Sequence, residues 1–212
     1  MTSEEVFQEL EKIQAIIRDS HIVYTSGRHG THYVNKDALY PHTALTSRLC
    51  EEIARRFENS GVEIVLAPAL GGIILSQWVA HHLSLLLKKE ILGVYAEKAP
   101  DGESFILKRG YDSLVKGKRV LILEDVLTTG ISVKRVVETV RFHGGEVLGV
   151  GALCNRGSVK PEDLGGVPRL DSLIQIQLDS WEERDCPLCK KNIPVNIQVG
   201  KGREFLSRNP KG

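Results

Sequence analysis

A doubly wound α/β fold with a mostly parallel sheet is what this sequence predicts, and two observations carry the prediction. Apolar runs that do not alternate with polar residues recur as EIVLAPA, ILGVYAEK, RVLILEDV and EVLGVGALCN. Strands of that kind need cover on both faces. Segments with helical spacing lie between them, so helical crossovers join the strands. A chain of 212 residues, 42% apolar and 26% charged, is long enough for one hydrophobic core. One domain, residues 1–212, is expected.

The elements follow in order. Val6, Leu10, Ile13, Ile16 and Ile17 recur at helical spacing after a Thr2/Ser3 start, with Glu4 and Glu5 suited to the positive helix end. Leu45, Leu49, Ile53 and Phe57 predict a second helix from about Thr43 to the stop at Asn59-Ser60-Gly61, and the strand EIVLAPA follows. GGIILSQWVAHHLSLLLKK reads as a third helix. ILGVYAEK and SFILKRG flank the turn-rich APDG and predict a hairpin with a mobile tip. RVLILEDV, a helix from about Gly130 to His143 and the strand EVLGVGALCN complete the alternation. Beyond Ser158 the pattern weakens, recovers as a strand in LIQIQLDSW, and ends in a polar tail expected to fray.

Charge and cysteine content narrow the function classes. With 28 basic and 27 acidic residues the net charge is +1, which offers no footprint for duplex nucleic acid or an anionic membrane. The N-terminus lacks the basic and apolar regions of a signal peptide, and the apolar stretches near Ile73–Leu87 are interrupted by Gln77, His81 and His82. Four cysteines make no disulfide framework, so a reducing cytoplasm is expected.

The stretch RVLILEDVLTTGISVKRVV raises the functional question, because a buried strand ends there on two acids, Glu124 and Asp125, and opens into Thr128, Thr129, Gly130 and Ser132. In an open α/β sheet ligands bind beyond the strands' carboxyl ends, where a helix N-terminus presents free N–H groups to an anion. Three hydroxyls and a glycine suit a phosphate. Carboxylates would repel a second phosphate and suit ribose hydroxyls or a divalent cation. The combined reading is a sugar phosphate; the plainer one is an N-capped helix with solvated acids. G-x-x-x-x-G-K-[ST], a strand-borne G-x-G-x-x-G and G-x-S-x-G are all missing from the sequence.

VLILEDVLTTGIS resembles the phosphoribosyl pyrophosphate motif of type I phosphoribosyltransferases, and three further segments narrow the likeness to the orotate phosphoribosyltransferase family. TSGRHGTHYVNKDALY resembles its base-covering hood, APALGGI its pyrophosphate loop, and ALCNRG the strand bearing an orotate-binding arginine. CPLCKKNIP is similar to a segment in a subset of the family. The likeness spans roughly residues 20–160.

This resemblance implies a fold with a small N-terminal hood, built from about residues 1–42 plus the C-terminal part, over a core of about 43–160. It implies transfer of phosphoribosyl from phosphoribosyl pyrophosphate to orotate with Mg²⁺, in a cytoplasmic homodimer whose mobile loop reaches the neighbouring site. Glu124 and Asp125 would meet the ribose, Thr128, Thr129, Gly130, Ile131 and Ser132 would hold the 5-phosphate, and Val126 and Leu127 between them would belong to the same phosphoribosyl pyrophosphate site. Ala69, Leu70, Gly71 and Gly72 would form the pyrophosphate loop, often with a cis peptide before Leu70. Arg156 and Thr128, with Arg28, Tyr33 and Lys36 from the hood, would hold orotate. Lys98 would act with Asp125 in catalysis. Some members carry Tyr-Lys at Leu70-Gly71, many have a lysine before Ser26 where this chain has Thr25, and the loop holding Lys98, Lys108 and Arg109 is sparsely basic. Those departures keep two alternatives open: another base as substrate, or a non-catalytic phosphoribosyl pyrophosphate sensor.

Two smaller patterns complete the reading. Cys186 and Cys189 have zinc-ligand spacing, but no second C-x-x-C or nearby His pair completes a set of four, so paired structural thiols are favoured over a metal. His29 and His32 form H-x-x-H in a polar loop and are read as ligand-facing or solvated rather than metal-binding.

Overall fold

Thr2 and Glu5 cap the first helix reciprocally: Thr2 Oγ1 accepts from the Glu5 N–H at 3.2 Å, and Glu5 Oε2 accepts from the Thr2 N–H at 2.7 Å. This computed structural model describes residues 1–24, 26–176 and 180–208. Helix α1 (Ser3–Lys12) buries Val6 and Leu10. It ends earlier than its apolar spacing implies, because Gln14 turns the chain at a φ of 56° and Ile16–Ile17 form strand β1. Three more two-residue strands follow, β2 (Ile22–Val23), β3 (His29–Gly30) and β4 (Tyr33–Val34). Strand β1 pairs with β4, and β2 with β3, both antiparallel.

Helix α2 (Thr43–Phe57) buries Leu45, Leu49, Ile53 and Phe57, and Gly61 ends the following turn at a φ of 76°. Then come β5 (Ile64–Pro68), α3 (Gly71–Leu87), β6 (Leu92–Lys98) and β7 (Phe105–Ile106). A short α4 (Tyr111–Val115), which no sequence pattern announced, leads into β8 (Arg119–Leu127), α5 (Ile131–Phe142) and β9 (Glu146–Asn155). Strand β10 (Leu170–Gln175) closes the large sheet. The expected strand LIQIQLDSW runs on into residues outside those described, beyond which β11 (Ser180–Trp181) pairs with β3. Helices α6 (Pro187–Lys190) and α7 (Gly202–Arg208) follow. The expectation of a frayed tail is corrected for 202–208, where the Lys201 N–H bonds the Val23 carbonyl at 2.8 Å and anchors the helix start. The last four residues lie outside those described.

The large sheet has the order β10-β9-β8-β5-β6-β7, parallel except for the β6–β7 hairpin. Adjacent residues of β8 serve opposite faces: Leu121 and Leu123 pack with α1, α2 and α3, while Val120 and Ile122 pack with α5. That double burial is why the strand reads as a continuous apolar run. From β5 the chain crosses to β6 on one side, and from β8 to β9 on the other. The switch point therefore falls between β5 and β8, and their carboxyl ends frame a crevice. No helix among the described residues is long and apolar enough to cross a membrane.

Leu121→Ala tests this two-faced core. Leu121 is fully buried beside β5, so its truncation is expected to destabilise the chain by about 2–5 kcal/mol, read as a lower urea midpoint at unchanged m-value.

Candidate active site

Strand β8 delivers Glu124 and Asp125 to the switch point. Asp125 is 2% exposed and is compensated by two groups from the segment after β4: Lys36 Nζ donates to Oδ2 at 2.8 Å, and the Tyr40 hydroxyl donates to the same oxygen at 3.2 Å. The first residue of α3 presses on it from the other strand, where a Cβ built on Gly71 would stand 2.3 Å from Asp125 Oδ2. Only glycine lets the backbone pass so close. The preceding Ala69–Leu70 peptide is cis, as the resemblance implied.

The electrostatics follow from burial. Glu124 is pushed up to about 8, first by burial and then by the charge of Asp125. Burial alone would lower Lys36, but the bond to Asp125 and the charges of Asp125 and Glu124 outweigh it and raise its pKa. Burial and the same carboxylates push the Tyr40 hydroxyl up, so it remains a donor. Two acids and one ammonium thus share the crevice floor, with the less compensated acid holding its proton.

Beyond β8, Gly130 takes a φ of 74° and starts α5, leaving the backbone of 128–132 curled around a cavity of about 130 Å³. Thr128 and Val126 line both this hollow and a larger cavity of about 590 Å³. Arg156, at the end of β9, is held against the loop by donation from Nε to Thr128 Oγ1 at 2.9 Å. Its neighbours fix the turn: the Asn155 side chain brackets Val159 with bonds of 2.9 and 3.1 Å, and a Cβ on Gly157 would lie 1.6 Å from the Thr128 carbonyl oxygen. Tyr24, Ser26, Tyr33 and Lys36 line the larger cavity from the N-terminal side, and Ser180 and Gly200 from the C-terminal side. An acid pair, an anion-sized loop at a helix N-terminus and a fixed guanidinium therefore line two adjoining cavities that share Val126 and Thr128.

A family model for the phosphoribosyl transferase domain matches residues 36–187. An orotate phosphoribosyltransferase of Pelotomaculum thermopropionicum is 39% identical, over 92% of this chain and 96% of the relative. That of Caldanaerobacter subterraneus is 35% identical over the same shares. This chain belongs to the orotate phosphoribosyltransferase family. The crystal structure of the family member from Aeropyrum pernix superposes with a TM-score of 0.58 at 28% identity, covering 79% of this chain and 92% of that one.

The residues that the family motifs singled out are not all brought together. Glu124, Asp125, Tyr33, Lys36, Thr128 and Arg156 meet at the two cavities. Arg28 instead directs its guanidinium at the C-terminal segment, bonding Ser180 Oγ at 3.0 Å, the Ser180 carbonyl at 2.6 Å and the Glu182 carboxylate. Lys98 ends β6, exposed and outside both cavities, while Lys108 and Arg109 pair with Glu97 at 2.9 Å. Thr25 lies outside the described residues. Sequence reasoning missed Tyr40, Tyr24 and Ser180; Tyr40 belongs to the hood motif, but nothing local marks it as the partner of a residue 85 positions away. Two further expectations are corrected. His29 is buried rather than solvated, and together with His21 it stands beside Cys186 and Cys189, so histidines do approach the cysteine pair.

The state of Glu124 has a measurable consequence. Burial holds its folded pKa at about 8, above the ordinary glutamate value of 4.5, so between these limits the folded chain holds a proton that the unfolded chain has lost. Stability is expected to fall as pH rises through that window, by up to about 1.4 kcal/mol per pH unit. Glu124→Gln should flatten the profile between pH 5 and 8 in denaturant titrations, roughly within error; an unchanged slope would place the proton elsewhere.

Proposed function

We propose that this protein transfers the phosphoribosyl group of phosphoribosyl pyrophosphate to orotate, giving orotidine 5′-monophosphate and pyrophosphate, as a cytoplasmic enzyme. The observation that carries the proposal is the meeting of the Glu124–Asp125 pair, the Thr128–Ser132 loop and Arg156 around two adjoining cavities joined at Thr128. Family membership supplies the reaction class, and these residues supply its parts.

The loop takes the 5-phosphate on backbone N–H groups and hydroxyls at the α5 N-terminus, using neutral donors throughout. Glu124 and Asp125 take the ribose hydroxyls. Ala69, Leu70, Gly71 and Gly72 lie on the neighbouring strand end, where the α3 N-terminus offers N–H groups to pyrophosphate. Arg156 grips the orotate carboxylate, and Tyr33 and Lys36 border the base. A nitrogen of orotate bonds to the anomeric carbon as the bond from that carbon to pyrophosphate breaks. Positive charge grows on the sugar and negative charge on the leaving group, so oriented donors at the latter lower the barrier.

The site also fits Mg²⁺: two adjacent carboxylates beside the hydroxyl-rich loop make a hard, oxygen-rich set, although Lys36 now occupies one Asp125 oxygen. Glu124 and Asp125 would hold it together with the substrate's oxygens, and when bound it offsets the charge of the leaving group. Lys98 acts on closure of its hairpin. Its position outside the cavities of its own chain supports a homodimer with shared sites, as does the open apolar groove of α3 lined by Ile73, Ile74 and Trp78. Light scattering at micromolar concentration is expected to give twice the chain mass, and a fully active monomer would remove the shared site.

Asp125 and Arg156 serve different halves of the reaction and should fail differently. Asp125→Asn removes charge at the ribose, so turnover should fall with every base tested. Arg156→Ala removes a charge-assisted grip worth about 1.5–3 kcal/mol, which lowers orotate kcat/KM roughly ten- to a hundredfold and leaves phosphoribosyl pyrophosphate affinity nearly unchanged. An orotate-dependent absorbance assay reads both. Loss of phosphoribosyl pyrophosphate binding with orotate untouched would overturn the role given to Arg156, and no turnover by the parent chain at saturating substrates would overturn the activity.

A further inference from the structure

The second concentration of chemistry in this molecule lies outside both cavities. His21 and His29 on one side and Cys186 and Cys189 on the other bring four donor atoms within 4.8 Å of one another. Three of the four residues are buried and the fourth is partly so. In sequence the two halves are more than 150 residues apart, and each half alone is too small to bind a metal firmly.

The spacing is that of a tetrahedral coordination shell. Around one Zn²⁺, with bonds of about 2.0–2.1 Å to nitrogen and about 2.3 Å to sulfur, ligand atoms stand roughly 3.3–3.8 Å apart. Cys189 Sγ lies 3.3 Å from His29 Nδ1 and 3.6 Å from His21 Nε2, and Cys186 Sγ lies 3.8 Å from His21 Nε2. The two histidine nitrogens are closer, at 2.8 Å. Their environment also selects the ligating form. His21 Nδ1 stands 2.7 Å from the Ile193 carbonyl, which only an N–H can face, so Nε2 turns a lone pair into the cluster. His29 is fully buried and turns Nδ1 toward both His21 Nε2 and Cys189 Sγ, while its Nε2 has no hydrogen-bond partner among the described residues, so Nδ1 is the nitrogen placed to ligate.

We propose that His21, His29, Cys186 and Cys189 bind one structural Zn²⁺ that fastens the C-terminal segment to the N-terminal strands. The need for it is visible in the packing. Strands β2, β3 and β11 have two residues each and α6 has four, too little backbone pairing to be stable alone. Yet this region supplies Tyr24, Ser26 and Ser180 to the wall of the larger cavity. A four-coordinate site closed by protein ligands gives such a region rigidity that its core cannot. The wall's part in base binding rests on the function proposed above; metal binding does not.

The test uses the intact protein and no substrate. Protein produced in zinc-supplemented medium and dialysed without chelator should retain about one zinc per chain by elemental mass spectrometry. After chelator treatment, titration with Co²⁺ should give the intense visible bands of a tetrahedral site and a sulfur-to-cobalt charge-transfer band, with an end point near one equivalent. Cys189→Ser should lower that charge-transfer band to about half, and the chelated protein should melt at lower temperature and recover with Zn²⁺. A chain folded by circular dichroism that retains no zinc and yields no tetrahedral cobalt spectrum overturns the proposal. So does a Cys186–Cys189 disulfide in freshly isolated protein, which would make the pair a redox couple. If Cys189→Ser fails to fold, the metal content and cobalt titration of the parent chain still decide.

Discussion

Asp125 is a carboxylate 2% exposed near the end of a strand that is apolar from Val120 to Leu123, and an uncompensated charge in that position would cost several kcal/mol. Its compensation organises the crevice. Lys36 and Tyr40 reach it from the segment leading into α2, and Gly71 reaches it from the neighbouring strand end, so two other stretches of chain converge on one oxygen. The bare backbone at Gly71 lets α3 begin there, which keeps the helix N-terminus beside the acid pair. A side chain at that position would separate the two halves of the site. The position of the N-terminal strands over the sheet depends on the same oxygen, since Lys36 follows β4 directly.

The large sheet was legible because a parallel strand must be apolar where it is covered on both faces, and β5, residues 120–123 of β8 and residues 147–154 of β9 obey that rule. The acid pair and the phosphate-sized loop were legible for the opposite reason: polar groups in an apolar context are unusual enough to need a purpose. What stayed hidden has a common cause. Two-residue strands have no periodicity to detect, so β1 to β4 left no signal, and Ile16 and Ile17 extended the pattern of α1 by coincidence of spacing. Helix α7 is fixed by tertiary contacts, with Phe205 packing edge-on to His29, rather than by its own polar sequence. The partners of Cys186 and Cys189 were hidden for the same reason, because the fold alone brings residues 21 and 29 to residues 186 and 189.

The cavity wall shows how such a region is assembled. Arg28 bonds Ser180 twice and reaches Glu182, while the Asn196 N–H bonds the His21 carbonyl at 2.7 Å and the Asn196 side chain bonds Ser20 Oγ at 2.9 Å. The two chain ends are laced together by polar contacts rather than by a shared apolar core. Such contacts are directional but individually weak in water. A wall built this way holds its shape only while many bonds act together, which is why a metal tie between its two halves would matter to it.

Charge is distributed along the crevice in a definite order. The loop at residues 128–132 carries no ionisable side chain, the floor carries Glu124 and Asp125, and the side toward the larger cavity carries Lys36 and Arg156. Without a bound cation two adjacent carboxylates cannot both be charged cheaply, and burial resolves the conflict by keeping a proton on Glu124 while Asp125 takes the ammonium of Lys36. A cation held by Glu124 and Asp125 would favour the ionised form of Glu124 and would compete with Lys36 for Asp125. Release of Lys36 would free a positive charge on the side of the crevice that faces the base. On the proposed function that charge would lie beside Arg156 on the side of the crevice assigned to the anionic base.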